Sequence, residues 1–345
     1  MKTLLVASAL TLVGSCATLS HKEKLQNVKD SIVFDEIATI KTYANTITSE
    51  ELSTHVYRFS SDEFEGRRAG EVGHHKASNY IKEYYISQDI GSPLGANNYY
   101  QLIPESYFSD DIKSSQNVVA YIKGEVYPDE VLIISAHSDH EGFTEEAIYN
   151  GADDNGSGTA AVLEMAQAFK IAKDQGYAPK RSIMFVHFTG EEINLTGSRF
   201  YAKHPIFSLE DTVANLNIDM IGRVDDVHED NPNYVYIIGA DRLSTELHYI
   251  SEAANDNFTN LELDYRLNSN NDPNQYYTRS DHYNFAQEGV PVIFYFNGTH
   301  DDYHEPTDTA DKLNYPLLQK RTQLIFSTAW YIANSDKRLE VDLAY

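Results

Sequence analysis

Residues 131–140 read VLIISAHSDH and combine an apolar run with a polar end. The first six residues are continuously apolar, as expected of a strand buried on both faces of a sheet. The strand leads into His137, whose neutral imidazole can bind a metal ion, and Asp139 lies where its carboxylate can hold the other ring nitrogen. A single histidine at a strand end is usually structural, so its meaning depends on the segments around it.

Apolar runs of this kind recur along the chain and alternate with amphipathic segments. Because continuously apolar strands need helices on both faces, the pattern predicts an α/β protein with three α/β/α layers and a mostly parallel central sheet. The predicted strands are residues 117–123, 131–136, 182–188, 213–218, 234–238 and 291–296. The predicted helices are residues 77–86, 159–172, 197–203, 244–254, 281–288 and 316–335. Ligands of such sheets bind at the carboxyl ends of the strands, where the polar motifs of this chain also fall.

The turn GADDNGSG, residues 151–158, carries Asp153 and Asp154 side by side in front of a predicted helix. Two adjacent carboxylates repel each other, and a divalent cation would offset that repulsion. The dipole and caps of a helix N-terminus account for one acid more readily than for two. The turn is therefore a candidate metal ligand, with helix capping as the alternative.

Three more motifs place metal-binding side chains after predicted strands: TGEE at 189–192, NIDMIG at 217–222 and DYHEPTDT at 302–309. In the first, one of Glu191 and Glu192 can bind metal while the other takes a proton from bound water; a solvated acidic loop is the alternative. Asp219 stands alone among apolar residues, and a buried carboxylate without a partner is costly, so a metal or a salt bridge is implied. His304 adds a second imidazole, with Asp308 as its candidate partner. Oxygen and nitrogen ligands of this kind suit zinc, with manganese or cobalt as alternatives.

At these residues the chain resembles the dinuclear-zinc aminopeptidases of secreted bacterial type, whose relatives include glutamate carboxypeptidase and glutaminyl cyclase. The resemblance extends from about residue 52 to about residue 333 and depends on HSDH, GADDNGSG, TGEE, NIDMIG, RSDH and DYHEPTDT. It implies a zinc exopeptidase fold and two Zn²⁺ ions per chain, with Asp154 as the bridging carboxylate. In that reading His137 and Asp219 complete one site, and Glu192 and His304 complete the other.

The resemblance also implies a reaction and further roles. The reaction is the hydrolysis of N-terminal residues from peptide substrates by a metal-bridging hydroxide, with Glu191 as general base and Asp139 as partner of His137. Tyr303 matches a donor to the tetrahedral oxyanion, although a packed tyrosine fits equally well. Arg279 matches a substrate-side arginine, with a salt bridge as the alternative, and Met220 either lines a pocket for the first side chain or belongs to the core. A cis peptide is expected between Asp154 and Asn155.

Two other functions compete with the aminopeptidase. One is a glutaminyl-cyclase-like acyltransferase, a branch that generally uses one zinc ion. The presence of both His137 and Asp219 disfavours it. The other is a non-catalytic lipoprotein on the same scaffold, which the presence of Glu191 and all five ligands disfavours.

The first residues carry a separate signal. Residues 1–16 resemble a bacterial signal peptide with a lipobox-like end, VGSC, in which Cys16 would be lipidated and anchor the chain to a membrane; an ordinary cleaved signal is the alternative. Either reading predicts an exported protein, which would be periplasmic, a membrane-anchored lipoprotein or otherwise secreted. Cys16 is the only cysteine, so no disulfide forms within the chain.

Composition and spacing limit the remaining organisation. Residues 17–48 are polar and predict a tether or a leading helix, and residues 49–340 predict one catalytic domain with the glycine-bearing turn FEGRRAG at 64–70. Only about thirty residues separate Gln101 from Val131, so the protease-associated insert of some family members is not expected. The net charge of -25 argues against nucleic acid as a partner, because a polyanion does not attract another.

Overall fold

The structure, a computed structural model, describes residues 20–109 and 112–343 of the 345. The strands in these ranges are β1 Tyr100–Ile103, β2 Ser115–Ile122, β3 Tyr127–His137, β4 Gly142–Phe143, β5 Ile148–Tyr149, β6 Arg181–Phe188, β7 Thr212–Ile218, β8 Tyr234–Ile238, β9 Glu262–Asp264 and β10 Val292–Phe296. The helices are α1 His21–Ser31, α2 Ile37–Ala44, α3 Ser49–Phe59, α4 Val72–Ser87, α5 Gly158–Asp174, α6 Thr196–Lys203, α7 Thr245–Phe258, α8 His282–Ala286 and α9 Tyr315–Asn334.

Eight strands form one sheet in the order β1-β2-β6-β3-β7-β10-β8-β9, and β4 pairs with β5 in a separate hairpin. The four central strands, β6, β3, β7 and β10, are parallel to one another. On one side of these four strands, β2 is antiparallel to both of its neighbours, β6 and β1. On the other side, β8 is antiparallel to β10. The α/β fold with a mostly parallel centre is therefore confirmed, and the carboxyl ends of the four central strands share one edge.

Helices cover both faces of the sheet, which explains why its central strands are apolar throughout. Along β3, Leu132 and Ile134 pack into the large core formed with α5 and α9, while Val131 and Ile133 face the opposite core that includes residues of α6 and α8. All four side chains are fully buried. Burial of an aliphatic side chain of this size stabilises the fold by about 1.5–3 kcal/mol.

The N-terminal part of the described chain is helical and packs on the core. Residues 17–48 were predicted to be a tether or a leading helix; α1 and α2 lie in this range, and Ile40, Tyr43 and Ile47 are buried in the same core as the central sheet. A boundary at residue 48 therefore does not separate two packing units. The predicted signal peptide and Cys16 lie outside the described residues. Among the helices of the described ranges, none combines the length and apolarity needed to cross a membrane.

Candidate metal centre

The five predicted ligands come from segments that meet at one edge of the sheet. His137 is the last residue of β3, Asp219 follows β7, and Glu192 lies four residues beyond the end of β6. Asp154 comes from the turn before α5, and His304 from the loop after β10. Because these strands are parallel neighbours, their carboxyl ends deliver all five side chains to the same place.

The first cluster consists of His137, Asp154 and Asp219. Nε2 of His137 lies 3.2 Å from Oδ1 of Asp154 and 3.2 Å from Oδ1 of Asp219. The hydroxyl of Ser280 donates to the other oxygen of Asp219 at 2.7 Å, so Oδ1 is the oxygen left for a ligand. One imidazole nitrogen and two carboxylate oxygens therefore converge on a single point.

The second cluster consists of His304, Asp154 and Glu192. Nε2 of His304 lies 3.1 Å from Oδ2 of Asp154 and 3.1 Å from Oε2 of Glu192. One imidazole nitrogen and two carboxylate oxygens therefore converge here as they do in the first cluster. Asp154 directs one oxygen at each histidine, so it stands between the two clusters.

The remaining nitrogens of both histidines are held by other groups. Nδ1 of His137 lies 3.2 Å from the backbone oxygen of Asp139, whereas the carboxylate of Asp139 is 3.8 Å away and accepts from the backbone N–H of Glu191 instead. Nδ1 of His304 faces Glu141 at 3.3 Å, a residue that the sequence did not indicate. Contacts of this kind orient the rings so that Nε2 points to the metal position.

Asp308 does not orient His304, and this expectation was wrong. Its carboxylate accepts from the backbone N–H groups of Asp153 and Asp154, at 2.9 and 3.0 Å, and so fixes the turn that carries Asp154. The carboxylate of Asp153 accepts from the backbone of Gly222 at 2.7 Å and faces away from the two clusters. The predicted cis peptide between Asp154 and Asn155 is confirmed.

His140 is a further residue that the sequence interpretation did not select. It is buried, and its Nδ1 lies 2.9 Å from Oε1 of Glu192, the oxygen that does not face His304. Its ring packs against Gly151, where an added Cβ would lie 2.6 Å from it. The only signal in the sequence is its position as the last letter of HSDH.

Glu192 forms a candidate metal-binding group with Asp154, whereas Glu191 does not. The carboxylate of Glu191 comes within 4.8 Å of ligand atoms of His137 and Glu192, and it lines a cavity of about 390 Å³. Burial raises the pKa of Glu191 well above its usual value, and the carboxylates of Asp219 and Glu192 add to this effect, while His137 opposes it. A cation placed between the clusters would favour the ionised form of Glu191.

The same cavity is lined by the three residues that the family resemblance associated with the substrate or the oxyanion, Met220, Arg279 and Tyr303. The ring of Tyr303 stacks on His304 with 3.9 Å between centroids, and its hydroxyl lies 3.4 Å from Nη2 of Arg279. Met220 is buried, adopts φ 57°, and packs with aromatic residues on one wall of the cavity. The complete lining is Asp154, Glu191, Glu192, Asn194, Leu195, Asp219, Met220, Tyr276, Arg279, Phe294, Phe296, Thr299, Tyr303 and His304.

The electrostatics of the clusters fit two divalent cations. Burial would raise the pKa of Asp154, but the hydrogen bonds from His137 and His304 hold it well below its usual value. For His137, burial is outweighed by the carboxylates of Asp219 and Glu191, which raise its pKa well above the ordinary range. Without metal, the surrounding carboxylates favour a proton on the imidazole nitrogen that would bind a metal ion. The histidine and carboxylate donors fit a dinuclear zinc site.

Fold and donor set together define an α/β protein with a two-zinc centre. The chain belongs to peptidase family M28, because residues 117–329, well over half of its length, match the model of that family. Aminopeptidase YwaD of Bacillus subtilis is 26% identical over 237 residues, which cover 66% of this chain and 46% of that protein. The chain spans about half the length of the curated relatives that it matches first.

Solved structures share the fold. An aminopeptidase from Aneurinibacillus sp. strain AM-1 superimposes with a TM-score of 0.64 at 17% identity, covering 89% of this chain and 98% of that one. The glutaminyl cyclase of Porphyromonas gingivalis superimposes with a TM-score of 0.62 at 17% identity, covering 82% of this chain and 97% of that one. The fold therefore accommodates both activities, and the side chains must distinguish them.

Proposed function

We propose that this chain is a zinc aminopeptidase that hydrolyses N-terminal residues from peptides. The observation that carries the proposal is the position of Asp154, with one oxygen 3.2 Å from His137 and the other 3.1 Å from His304, beside the free carboxylate of Glu191. His137, Asp154 and Asp219 would hold one zinc ion, and Asp154, Glu192 and His304 the other.

Zinc ions in such a centre polarise a carbonyl group and lower the pKa of bound water. Glu191 faces the same cavity as both clusters, so its carboxylate is the base that takes a proton from the attacking water. The same carboxyl group then returns the proton to the leaving nitrogen. Glu191 must be ionised for the first transfer and protonated for the second, and a buried carboxylate next to cations can alternate between these two forms.

Tyr303 is suited to the oxyanion that develops on the scissile carbonyl. Burial and the carboxylates of Asp154 and Glu192 raise the pKa of Tyr303 well above its usual value, so its phenol stays protonated and can donate. Arg279 lies beside this hydroxyl and over the ring of Tyr276, at 5.0 Å from its centroid. We propose that Arg279 keeps the phenol in place and faces the substrate.

One wall of the cavity supports a preference for large apolar N-terminal residues. Met220, Tyr276, Phe294 and Phe296 form a shared buried cluster on this wall. Apolar side chains gain about 25 cal/mol for each Å² that they remove from water, and aromatic walls suit both leucine and phenylalanine. We therefore propose a hydrophobic first residue in the substrate.

A substrate panel tests the proposal. Metal-free and zinc-loaded protein would be assayed on leucyl, phenylalanyl, alanyl and glutamyl fluorogenic amides, and on one peptide with a free and with a blocked N-terminus. We expect zinc-dependent release that is fastest for the leucyl and phenylalanyl amides, and no cleavage of the blocked peptide. Cleavage of the blocked peptide alone would refute the aminopeptidase, and one zinc per chain with cyclisation of N-terminal glutamine would favour the acyltransferase.

We also propose that the chain is exported and anchored through Cys16. The support is the lipobox-like VGSC at the end of an apolar stretch in residues 1–16. Radiolabelled palmitate should enter the wild-type protein in a bacterial host but not the Cys16→Ser variant. Equal label in both proteins, or wild-type protein free in the medium without label, would contradict lipidation.

A further inference from the structure

The turn FEGRRAG packs beneath the metal centre and contributes a buried arginine. Arg67 is 0% exposed, although an arginine without solvent is costly unless all its donors are satisfied. Its five N–H groups are all directed at backbone carbonyl oxygens. The guanidinium also lies over the ring of Phe59, at 4.5 Å from its centroid.

Four of the five carbonyl groups belong to the two segments that carry His137 and Asp154, and the fifth is that of Phe59 at the end of α3. Nε donates to Ser138 at 3.2 Å, next to His137. Nη1 donates to Asn150 at 2.6 Å, and Nη2 donates to Gly151 at 2.9 Å and to Asp154 at 3.5 Å. One rigid guanidinium thus connects two of the three segments that form the first cluster.

The backbone of the same residue adds a further contact. The carbonyl oxygen of Arg67 accepts from the backbone N–H of His140 at 3.2 Å. The side chain and the backbone of Arg67 therefore form hydrogen bonds with the HSDH loop on either side of Asp139. His140 in turn holds Glu192, a ligand of the second cluster. The hydrogen bonds of Arg67 therefore connect directly to a segment of the first cluster and, through His140, to a residue of the second.

The conformation of the turn is unfavourable in isolation. Glu65, Gly66 and Arg67 have φ of 52°, 67° and 54°, a run of left-handed residues that only glycine adopts readily. A Cβ on Gly66 would lie 1.9 Å from the backbone oxygen of Gly142, so the turn also packs tightly on the hairpin β4–β5. Backbone strain of this kind persists where the surrounding structure requires it.

Charge supplies a second reason for an arginine at this place. Burial lowers the pKa of Arg67 to about 10, while Asp154, Asp308 and Asp139 oppose that change. The guanidinium therefore stays charged at neutral pH. Its positive charge reduces the repulsion among carboxylates that must remain ionised to bind metal.

We infer that Arg67 is a positioning residue for the metal centre, which sets the distance between His137 and Asp154 and thereby the affinity and geometry of the zinc sites. The inference rests on the proposed function only for its catalytic consequence, since metal binding is measured without a substrate. Loss of groups that support metal ligands typically costs about 10- to 100-fold in metal affinity or activity.

The test compares Arg67→Lys with a matched control, Arg181→Lys. Arg181 is equally buried and also donates to a backbone carbonyl, that of Ile332 at 3.1 Å, but it begins β6 at the edge of the sheet away from the metal centre. Lysine keeps the charge and loses the planar set of five donors. Zinc affinity would be measured by chelator competition, and ligand geometry by the visible absorption of the cobalt-loaded protein.

We expect Arg67→Lys to weaken zinc binding by about 10- to 100-fold and to change the cobalt spectrum. With zinc saturating, kcat on the leucyl amide should fall while KM changes little. Arg181→Lys should lower thermal stability yet keep the wild-type zinc affinity, spectrum and kcat. Wild-type zinc affinity and spectrum in Arg67→Lys, or equal losses in both variants, would overturn the inference.

A milder variant covers the case in which Arg67→Lys does not fold. Phe59→Leu keeps an apolar side chain and the carbonyl group that accepts from Arg67, but removes the ring that packs against the guanidinium, Phe64 and Tyr80. We expect it to weaken zinc binding several-fold with a smaller spectral change. An unaltered zinc affinity in a folded Phe59→Leu would then refute the inference. If wild-type protein hydrolyses no substrate, the proposed function fails, but the zinc and cobalt measurements still decide the role of Arg67.

Discussion

Protons and metal ions compete for the same atoms at the metal centre. In the absence of metal, the hydrogen bonds to Asp154 and Glu192 outweigh burial and raise the pKa of His304 to about 10. The pKa of His137 is also raised well above its ordinary value, by Asp219 and Glu191 against the effect of burial. Each imidazole must lose its proton before Nε2 can bind zinc.

Zinc affinity should therefore rise with pH. Both imidazoles are protonated below their raised pKa values, so zinc must displace a proton from each of them. For each displaced proton, zinc affinity rises about tenfold per pH unit between pH 6 and 8. Chelator competition at pH 6, 7 and 8, corrected for the chelator's own protonation, would measure this. An affinity independent of pH over that range would show that the imidazoles are already neutral in the metal-free protein.

Glu191 should be required for turnover and not for metal binding. The Glu191→Gln variant keeps the shape of the side chain and removes the base, so we expect two zinc ions per chain and a fall in kcat of about 10²- to 10⁴-fold. Metal content and hydrolysis of the leucyl amide are the measurements. Glu288→Gln, an exposed acid next to the N-terminal end of β10, should behave as wild type. Wild-type kcat in Glu191→Gln would exclude it as the base.

The sequence predicts ligand identity better than ligand support. Asp219 and the histidines could be selected because polar metal-binding side chains at the ends of apolar strands have few structural reasons to be there, whereas the choice of Asp154 over Asp153 depended on the family resemblance. Glu141 could not be matched to His304, because their contact joins positions 163 apart that no local pattern relates. Asp308 was matched to the wrong group for the same reason: its partners are backbone N–H groups of a distant turn.

At the scale of elements, the central strands could be predicted and the edges could not. β3, β6, β7 and β10 are buried on both faces, so their apolar runs are continuous and easily recognised. β1 and β9 are short edge strands of four and three residues with exposed positions, and the hairpin β4–β5 has two residues per strand. Their pairing depends on neighbours that are distant in sequence, and the sequence interpretation did not include them.

The contact between α4 and β6 gives a prediction on pH. The hydroxyl of Tyr85 lies 2.7 Å from Nε2 of His187, and burial lowers the pKa of His187 to about 3. A lowered pKa means that the folded state favours the neutral ring. Its contribution to stability is therefore complete above the unfolded value of about 6.5 and is lost as pH falls from there toward 3.

The His187→Gln variant should lose this dependence. Between pH 6 and 4, one proton taken up on unfolding changes the free energy of unfolding by about 1.4 kcal/mol per pH unit, and the metal-free variant should have a slope smaller by that amount. Urea unfolding at several pH values measures the slope. The exposed His75→Gln on α4 is the control and should keep the wild-type slope. Equal slopes in all three proteins would mean that His187 titrates normally.

At the scale of the whole molecule, metal ions offset part of a large negative charge. The chain carries a net charge of -25, and several of its acids are buried together at the metal centre. Self-repulsion of this kind destabilises a compact state, and bound cations reduce it. The metal centre is therefore expected to contribute to stability as well as to chemistry.

Metal removal should lower the melting temperature. A ligand at 1,000 times its Kd stabilises the folded state by about 4 kcal/mol per site, provided that the unfolded chain does not bind it. Scanning calorimetry after treatment with a chelator should show a lower Tm, and zinc but not magnesium should restore it. An unchanged Tm would mean that the ligand clusters are held in place without metal. The variant Glu191→Gln, which keeps its ligands, should respond to zinc as wild type does.

The wide spacing of the ligands also has a consequence for how the protein is completed. The ligands extend from His137 to His304, and the last of them follows β10, the strand inserted between β7 and β8. A growing polypeptide therefore displays four of them before the fifth has been synthesised. A chain interrupted before residue 304 has only one cluster intact, so a second bound zinc ion distinguishes chains that extend past His304 from shorter fragments.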